Sequence, residues 1–243
     1  MNTVGIMGFG RFGKILAKIL QKGFQIRVFD PLDQISFSGV EFVDLDTLLA
    51  ESVIFVAVPI RTFETVITGI APKLGKNTTI IDVCSVKIHP VEVMKKHLPE
   101  STGIIATHPL FGPDSYTSGG TLKMIMNATR DTHGQFNFWS QYFSGQGIKI
   151  INLDPETHDR LAAQTQGVTH FLGRTLKAYG IHKTALDTQG FRDLLDLVDQ
   201  TCNDTWELYS DLQRYNPYTG TVVRKLGKAV QTMTDKLDAN NHK

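Results

Sequence analysis

Two features of the sequence predict an α/β fold that begins with a doubly wound, mostly parallel sheet and ends with an all-α domain. Short apolar runs alternate with stretches of helical periodicity as far as residue 153, which is the pattern of β–α units around a parallel sheet. From Asp154 onward the apolar residues keep helical spacing, and no convincing strand is found. We therefore expect one domain over 1–153 and a helical domain over 154–243.

The composition limits the class of partner. The 243 residues carry 25 Lys and Arg against 24 Asp and Glu, and the two signs are well interspersed. The sequence therefore has no basic stripe of the kind that nucleic-acid binding requires. The longest apolar run, around 53–58, is much shorter than the roughly 20 residues of a membrane span, and the N-terminus lacks a secretion signal. We expect a cytoplasmic protein without a membrane partner. Cys84 and Cys202 have no pairable spacing, which fits a reducing compartment and excludes a cysteine-based metal cage.

The first apolar run leads directly into a glycine-rich turn. A strand predicted over Thr3–Met7 is followed by GFGRFG at residues 8–13 and then by apolar residues at helical spacing. The first glycine permits a tight turn, the second lets a pyrophosphate approach the backbone, and the third lets helix and strand pack closely. A second strand, over Gln25–Phe29, ends in an acid about 20 residues beyond the glycines, where a ribose would be bound. These features predict a Rossmann-type dinucleotide-binding domain with cofactor contacts at Gly8, Phe9, Gly10, Arg11, Phe12, Gly13 and Asp30.

Asp30 also bears on the choice of cofactor. Its carboxylate would repel a 2′-phosphate, and Pro31, Leu32 and Asp33 supply no arginine to receive one. NAD is therefore favoured. NADP stays open as an alternative, because Arg11 and Arg27 could weaken that preference, although both equally fit solvated side chains.

The next strands carry further candidate residues at their carboxyl ends. A short strand over 40–43 and a short helix over 46–51 precede a strand over 52–58, which is apolar on both faces as buried parallel strands are. Thr62 or a neighbour is expected to cap the helix that follows. The candidate cofactor contacts at this strand end are Val58, Pro59 and Arg61, although Arg61 equally fits an exposed arginine of the first helical turn.

A strand over 78–83 leads to Ser85 and Lys87, and a helix begins near His89. Both side chains leave the strand at the edge expected to hold the cofactor, so a hydroxyl and an ammonium could converge on the reacting oxygen of a substrate. Ser85 is also a candidate cofactor contact. Taken alone, each residue is more often a cap or a surface charge.

His108 is the candidate general base. It follows a short apolar strand over 103–106, and Pro109, Gly112 and Pro113 stiffen the loop in which we expect it. A stiff loop at the carboxyl end of a strand can aim a side chain at a ligand. The alternative is a structural histidine that caps a turn. Strands over 123–126 and 147–151, with a helix over 135–143, complete the predicted sheet.

The second half begins at Asp154, an N-cap before a proline at the first helical position. Helices are predicted over 155–179, over 191–213 and from Thr219 onward. Gln166 and His170 are four residues apart and therefore share one face of the helix predicted over 155–179. So much apolar helical surface favours a homodimer formed through these helices, with a monomeric helical cap as the alternative.

Together these motifs resemble the prephenate and arogenate dehydrogenase family of tyrosine biosynthesis. The likeness covers nearly the full chain, and the helical half is closest to the plant-type arogenate enzymes. The serine and histidine motifs, in that order, are more specific than the glycines. The segments that carry the resemblance are GFGRFG, DVCSVK at 82–87, THPLFGPDS at 107–115, HD at 158–159, AAQTQGVTHFLGRTL at 162–176, LLDLV at 194–198 and ELY at 207–209.

The resemblance implies an oxidative decarboxylation with a nicotinamide cofactor and no metal. A base removes the proton of the C4 hydroxyl of a cyclohexadiene, hydride leaves C4, and loss of the ring carboxylate as carbon dioxide aromatises the product. By this resemblance His108 is the base, Ser85 orients it and the substrate oxygen, and His170 and Gln166 line the substrate cavity.

Two departures from the family pattern concern the substrate side chain. Many bacterial relatives place an arginine on the penultimate helix to bind the side-chain carboxylate, and the corresponding position here is Asp196; Arg192, one turn earlier, is a candidate substitute. Asp204 stands where plant-type arogenate enzymes use an acid to meet the substrate amino group. Because an aspartate there favours a zwitterionic side chain, arogenate is slightly preferred over prephenate.

Two alternative functions predict other residues at these positions. A β-hydroxyacid dehydrogenase or imine reductase of the same two-domain architecture would place a lysine or other proton donor on the long helix, which here presents Gln166 and His170. A non-catalytic nucleotide-sensing regulator would lose the polar groups at the strand ends, yet Ser85, Lys87 and His108 are all present.

Overall fold

The structure is a computed structural model that describes residues 3–32, 36–113, 116 and 120–240. It divides into two compact units, residues 1–158 and residues 159–243. The predicted boundary lay between residues 153 and 154. The units divide five residues later because the first turn of the helix that begins at Pro155 contributes His158 to the first unit. Asp33, Asp114 and Ser115, which belong to motifs discussed above, lie outside the described residues.

The first unit contains one eight-stranded sheet with the order β3-β2-β1-β4-β5-β6-β7-β8. All neighbouring strands are parallel except β6 and β7, which are antiparallel. The predicted Rossmann-type, mostly parallel sheet is thereby confirmed. Its strands are β1 (Thr3–Met7), β2 (Gln25–Phe29), β3 (Val40–Phe42), β4 (Val53–Val56), β5 (Thr79–Asp82), β6 (Gly103–Pro109), β7 (Leu122–Arg130) and β8 (Ile148–Asn152).

Helices cover this sheet, and their apolar faces form its core. The helix predicted to be capped near Thr62 begins at Ile60 instead. Its N-cap is Pro59, and the Thr62 hydroxyl donates to the Pro59 carbonyl within the first turn. The helices of the first unit are α1 (Arg11–Leu20), α2 (Leu45–Leu49), α3 (Ile60–Ile70), α4 (Ile88–His97) and α5 (Phe136–Gly145), with a 3₁₀ turn over Ala71–Lys73.

An aromatic cluster joins α5 to the sheet. Trp139 meets Phe55 of β4 edge to face at 4.9 Å, and Phe143 packs beside it at 5.9 Å. The Tyr142 hydroxyl donates to the Ile19 carbonyl of α1 at 2.8 Å, so α5 also holds the helix that follows the glycine turn. Edge-to-face rings contribute about 0.5–1.5 kcal/mol beyond their buried area, which favours this single arrangement.

The second unit is helical, as predicted, but two helices differ from the expected ones. The helix over 155–179 contains a π-helical turn, and the single helix expected over 191–213 is two helices. The break is specified locally, since the Thr205 hydroxyl accepts the Leu208 N–H and caps a new helix. The elements are α6 (Pro155–Ala162), the π turn (Ala163–Gly167), α7 (Val168–Tyr179), α8 (Gln189–Cys202), α9 (Trp206–Tyr215) and α10 (Thr219–Asn240). None of the helices in the described ranges is long and apolar enough to cross a membrane.

Helices α7 and α8 approach each other at Gly173. A Cβ built at this glycine would overlap the Thr201 hydroxyl oxygen, which itself donates to the Leu197 carbonyl at 2.7 Å. The hydroxyl cannot move aside without losing that bond. Gly173 is therefore required by the helix spacing and not by its backbone conformation.

We expect Gly173→Ala to lower the free energy of unfolding by about 1–3 kcal/mol, because the added methyl group forces the two helices apart. Gly227→Ala in α10 is the matched control, since a Cβ there meets nothing within 4 Å. That control should stabilise the protein by up to about 1 kcal/mol through helix propensity. Chemical denaturation measures both, and a Gly173→Ala protein as stable as the wild type would contradict the packing argument.

Candidate active site

The glycine turn has the geometry that a dinucleotide requires. Gly8 adopts φ +95°, and a Cβ there would lie 2.5 Å from the Ala57 carbonyl oxygen. A Cβ on Gly13 would overlap the Gly8 carbonyl, whereas a Cβ on Gly10 meets nothing within 4 Å. No side chain caps α1, so its first turn can present backbone N–H groups to a phosphate. These residues fit a pyrophosphate.

The acid at the end of β2 is fixed beside this turn. The Asp30 carboxylate accepts the Phe9 N–H at 2.6 Å and the Leu32 N–H at 2.8 Å. The Phe9 ring is fully buried, with its centroid 5.2 Å from those of Phe37 and Phe42. Only the backbone of Phe9 is therefore suited to a cofactor contact, while Asp30 stays partly exposed where a ribose would approach.

The remaining candidate cofactor residues gather at the same edge of the sheet. Strand β1 pairs with β2 and β4, with Met7 level with Phe29 and Val56, so all three strands end together. Arg11 is exposed and Phe12 partly exposed in the first turn of α1. Val58 and Pro59 follow β4, and Arg61 is exposed in the first turn of α3.

His108 lies within a strand and not in the loop where it was predicted. Strand β6 continues through Pro109, and His108 pairs with Ile125 of β7. Its side chain is only 2% exposed. Pairing with β7 therefore fixes the backbone of His108, in place of the loop prolines invoked from the sequence.

A second histidine contacts the first. His108 Nδ1 lies 2.8 Å from His158 Nε2, and His158 is likewise buried. Burial first, and then the neighbouring His158 and the Lys87 ammonium, hold the pKa of His108 well below its ordinary value. His108 is thus a neutral imidazole at neutral pH. His158 was noticed only as part of a family motif, since the chain separates the two histidines by 50 residues.

Lys87 does not present its ammonium as the sequence suggested. The side chain is 1% exposed, and its ammonium donates to the Asp82 carboxylate and to the Thr107 carbonyl. Asp82 also accepts the Cys84 N–H at 3.0 Å, and the Thr107 hydroxyl donates to the Asp82 carbonyl at 2.6 Å. A buried ammonium needs such partners, which is why it lies inside the sheet, directly beside the residue that precedes His108.

Ser85 is partly exposed between β5 and α4. In the part of the chain that the structure describes, no hydrogen bond joins it to His108, whose ring is oriented by His158. The contact by which Ser85 was predicted to orient the base is therefore not present between these two residues. Its hydroxyl remains at the carboxyl edge of the sheet, where the cofactor and substrate residues were expected.

The second unit holds its own polar cluster. Gln166 Oε1 and His170 Nδ1 are buried and lack hydrogen-bond partners among the described residues, and so does Nε of Arg174, which the sequence reading missed. Burial lowers the pKa of His170, while Asp204 raises it and Arg174 lowers it. The imidazole therefore lies within electrostatic reach of both charged groups. The spacing of four from His170 was the available signal for Arg174.

The other predicted carboxylate-binding residue is differently placed. Arg192 is exposed at the start of α8, where its guanidinium donates to the Asp187 carbonyl at 2.7 Å and to Gln189 Oε1 at 3.0 Å. These bonds hold the beginning of its own helix. Asp196, one turn later, is exposed as well.

A Rossmann-type nucleotide-binding sheet with a buried histidine at its carboxyl edge is typical of oxidoreductases that use a nicotinamide cofactor. The family profiles that match describe the nucleotide-binding domain of prephenate dehydrogenase over residues 35–126, the NAD-binding domain of D-isomer specific 2-hydroxyacid dehydrogenases over 1–68, and a TYRAAT1-like C-terminal domain over 175–243.

Two curated relatives are chloroplastic enzymes of Arabidopsis thaliana. Arogenate dehydrogenase 2 is 30% identical over 98% of this chain and 71% of its own length; arogenate dehydrogenase 1 is 31% identical over 98% of this chain and 40% of its own length. The chain belongs to the prephenate/arogenate dehydrogenase family and is an oxidoreductase of that kind.

Solved structures share the fold. Prephenate dehydrogenase from A. aeolicus, in complex with hydroxyphenyl propionate and NAD+, superposes with a TM-score of 0.77 at 17% identity, over 100% of this chain and 93% of the other. Arogenate dehydrogenase from Synechocystis gives a TM-score of 0.67 at 21% identity, over 97% of this chain and 89% of the other.

We expect Lys87→Met to lower the free energy of unfolding by about 3–5 kcal/mol, because it leaves the Asp82 carboxylate buried without its ammonium. Adding Asp82→Asn should recover part of this loss. Lys73→Met is the matched control: it removes an exposed pair with Asp46 and should change stability very little. Urea denaturation checks all three, and equal effects of the two single substitutions would refute the assignment.

Proposed function

We propose that this protein oxidises a cyclohexadienol carrying a ring carboxylate, arogenate or prephenate, to tyrosine or 4-hydroxyphenylpyruvate, as a step of tyrosine biosynthesis. The observation that carries the proposal is the buried pair of His108 and His158, which supplies a neutral imidazole at the carboxyl edge of the nucleotide-binding sheet. Family membership favours this reaction over that of a β-hydroxyacid dehydrogenase or imine reductase. The same buried base argues against a non-catalytic regulator.

In this proposal His108 is the general base. We assign the proton between the rings to His108 Nδ1, which faces His158 Nε2 at 2.8 Å; this tautomer leaves the lone pair on His108 Nε2 to accept the proton of the C4 hydroxyl. The C4–O bond becomes a carbonyl as the C4–H electron pair departs as hydride. The bond to the ring carboxylate then breaks, carbon dioxide leaves, and its electron pair completes the aromatic ring. His158 is a positioning residue that fixes the His108 tautomer, and Ser85 contacts the substrate oxygen.

The nicotinamide cofactor accepts the hydride when bound. The glycine turn at 8–13 would hold its pyrophosphate, and Asp30 its adenosine ribose. We propose NAD as the preferred form, because the Asp30 carboxylate opposes a 2′-phosphate. Arg11, exposed in the first turn of α1, is the residue that would admit NADP, because the other nearby arginine, Arg27, is paired with Glu41 and Glu51.

The second unit is proposed to bind the substrate side chain through Gln166, His170 and Asp204. Asp204 is partly exposed, and its charge reaches His170. A carboxylate at this position suits an ammonium group, so we propose arogenate as the better substrate. Arg192 is not assigned to the substrate, since its guanidinium holds the start of α8.

A direct assay tests the function. NADH formation should be seen with arogenate and, at lower kcat/KM, with prephenate, and Asp204→Asn should reduce that preference by about tenfold or more through loss of one charge contact. Repeating the assay with NADP in place of NAD tests the cofactor preference. Absence of turnover with both substrates would overturn the proposed function, whereas a strong wild-type preference for prephenate would overturn only the substrate assignment.

His108→Asn should lower kcat by about 10²–10⁴. Because the pKa of His108 is depressed in the folded protein, its base form persists below the ordinary value of about 6.5 and is lost only as pH falls through the lower folded value. The acid limb of kcat/KM should therefore lie below pH 6.5. His182→Gln, at an exposed histidine, is the control. Near-normal turnover of His108→Asn would exclude this base.

A homodimer formed through the C-terminal helices is also proposed. Helix α10 exposes Val230, Met233 and Leu237, at 59%, 57% and 66%, at helical spacing along one stripe. We expect light scattering to give twice the chain mass and Met233→Glu to shift the protein towards monomer. A monomeric wild type would favour the helical-cap alternative.

A further inference from the structure

The guanidinium of Arg174 in α7 is held in a fixed place. One of its terminal nitrogens donates to the carbonyl of Asp204, at the break between α8 and α9, and lies 3.4 Å from the Thr205 carbonyl. Its plane lies beside two aromatic rings, 5.4 Å from the Tyr209 centroid and 6.0 Å from that of Trp206. These contacts remove the rotational freedom that an arginine side chain normally keeps in water.

One nitrogen of this fixed group has no partner. Nε of Arg174 is buried, and its N–H donates to no acceptor among the residues that the structure describes. Two further atoms are also buried without a hydrogen-bond partner among the described residues: Nδ1 of His170, four residues before Arg174, and Oε1 of Gln166, four residues before His170. A buried polar group without a partner costs about 1–3 kcal/mol, so three on neighbouring turns are expected where a ligand completes the hydrogen bonding.

The charges around His170 indicate which charged groups that ligand would carry. Arg174 supplies a cation and Asp204 an anion, and both act on the imidazole of His170. The planar guanidinium suits a carboxylate, while the aspartate suits an ammonium. A group bearing both charges, as the head of an α-amino acid does, is complementary to the cluster.

We propose that Arg174 binds the side-chain carboxylate of the substrate, through its unpartnered Nε–H, and that it places Asp204 for the ammonium. The inference rests on the proposed function and assigns this carboxylate to α7 of this chain. Arg174 fulfils the role for which Arg192 was first considered. The difference between the two is physical: Arg192 is exposed and bonded to its own helix, whereas Arg174 is oriented by two carbonyls and two rings.

The experiment compares KM and kcat for arogenate and prephenate in three arginine variants. Arg174→Gln should raise KM about 10- to 100-fold for both substrates, since both carry the side-chain carboxylate, and should change kcat less than about threefold. Arg174→Lys keeps the charge but loses the planar fork, so its KM should be intermediate. Arg214→Gln, at an exposed arginine of α9, is the matched control and should leave both parameters unchanged.

The outcomes separate this inference from the proposed function. A wild-type enzyme active on arogenate or prephenate, with an Arg174→Gln protein that keeps wild-type KM, would overturn the inference alone. A loss of kcat at unchanged KM would also overturn it, because that pattern indicates a structural role. Should Arg174→Gln fail to fold, the folded Arg174→Lys protein carries the test: an intermediate KM supports the inference and an unchanged KM overturns it.

Discussion

The contact between His108 and His158 is the interaction on which the candidate site depends. The facing nitrogens of the two imidazoles lie 2.8 Å apart, so only one proton can lie between them, and burial holds the pKa of His108 well below its ordinary value, which keeps that ring neutral. That condition leaves the second nitrogen of His108 able to take a proton. The fold maintains it by burying His108 in β6, between β5 and β7, where water cannot stabilise an imidazolium.

The buried pair of Asp82 and Lys87 explains why that strand cannot shift. Asp82 ends β5, Thr107 lies in β6, and the ammonium of Lys87 bonds to both. The two strands are thereby joined by side chains as well as by the backbone ladder, one residue before the base. After burial and His158, the same ammonium also lowers the pKa of His108, so one lysine helps to position the base and disfavours its protonation. An ammonium that reached the substrate instead could do neither.

Local patterns in the sequence predicted most of the fold, because strand alternation, the glycine turn and the proline at α6 act over a few residues. They found His108 for the same reason, since it follows an apolar run. The position of His158 and the direction of Lys87 depend on contacts across 50 and 20 residues, which spacing does not encode. The spacing of four from His170 places Arg174 on the same helix face, but the bond of Arg174 to the Asp204 carbonyl, 30 residues away, has no local signal. The break between α8 and α9 was different, because Thr205 carried a local cap signal that the apolar periodicity of the flanking residues concealed.

The π turn at Ala163–Gly167 links the fold of the second unit to its polar cluster. An extra residue in a helical turn rotates the following residues by about 100° relative to an uninterrupted helix. At the end of the π turn, Nε2 of Gln213 donates to the Gly167 carbonyl at 3.1 Å, while Oε1 of Gln213 is buried and has no hydrogen-bond partner among the described residues. The unit thus retains several unsatisfied polar atoms beside the turn. The free-energy cost of these unsatisfied atoms is large compared with a typical free energy of unfolding of about 5–15 kcal/mol. A ligand that forms hydrogen bonds with them should therefore also stabilise the unit that binds it.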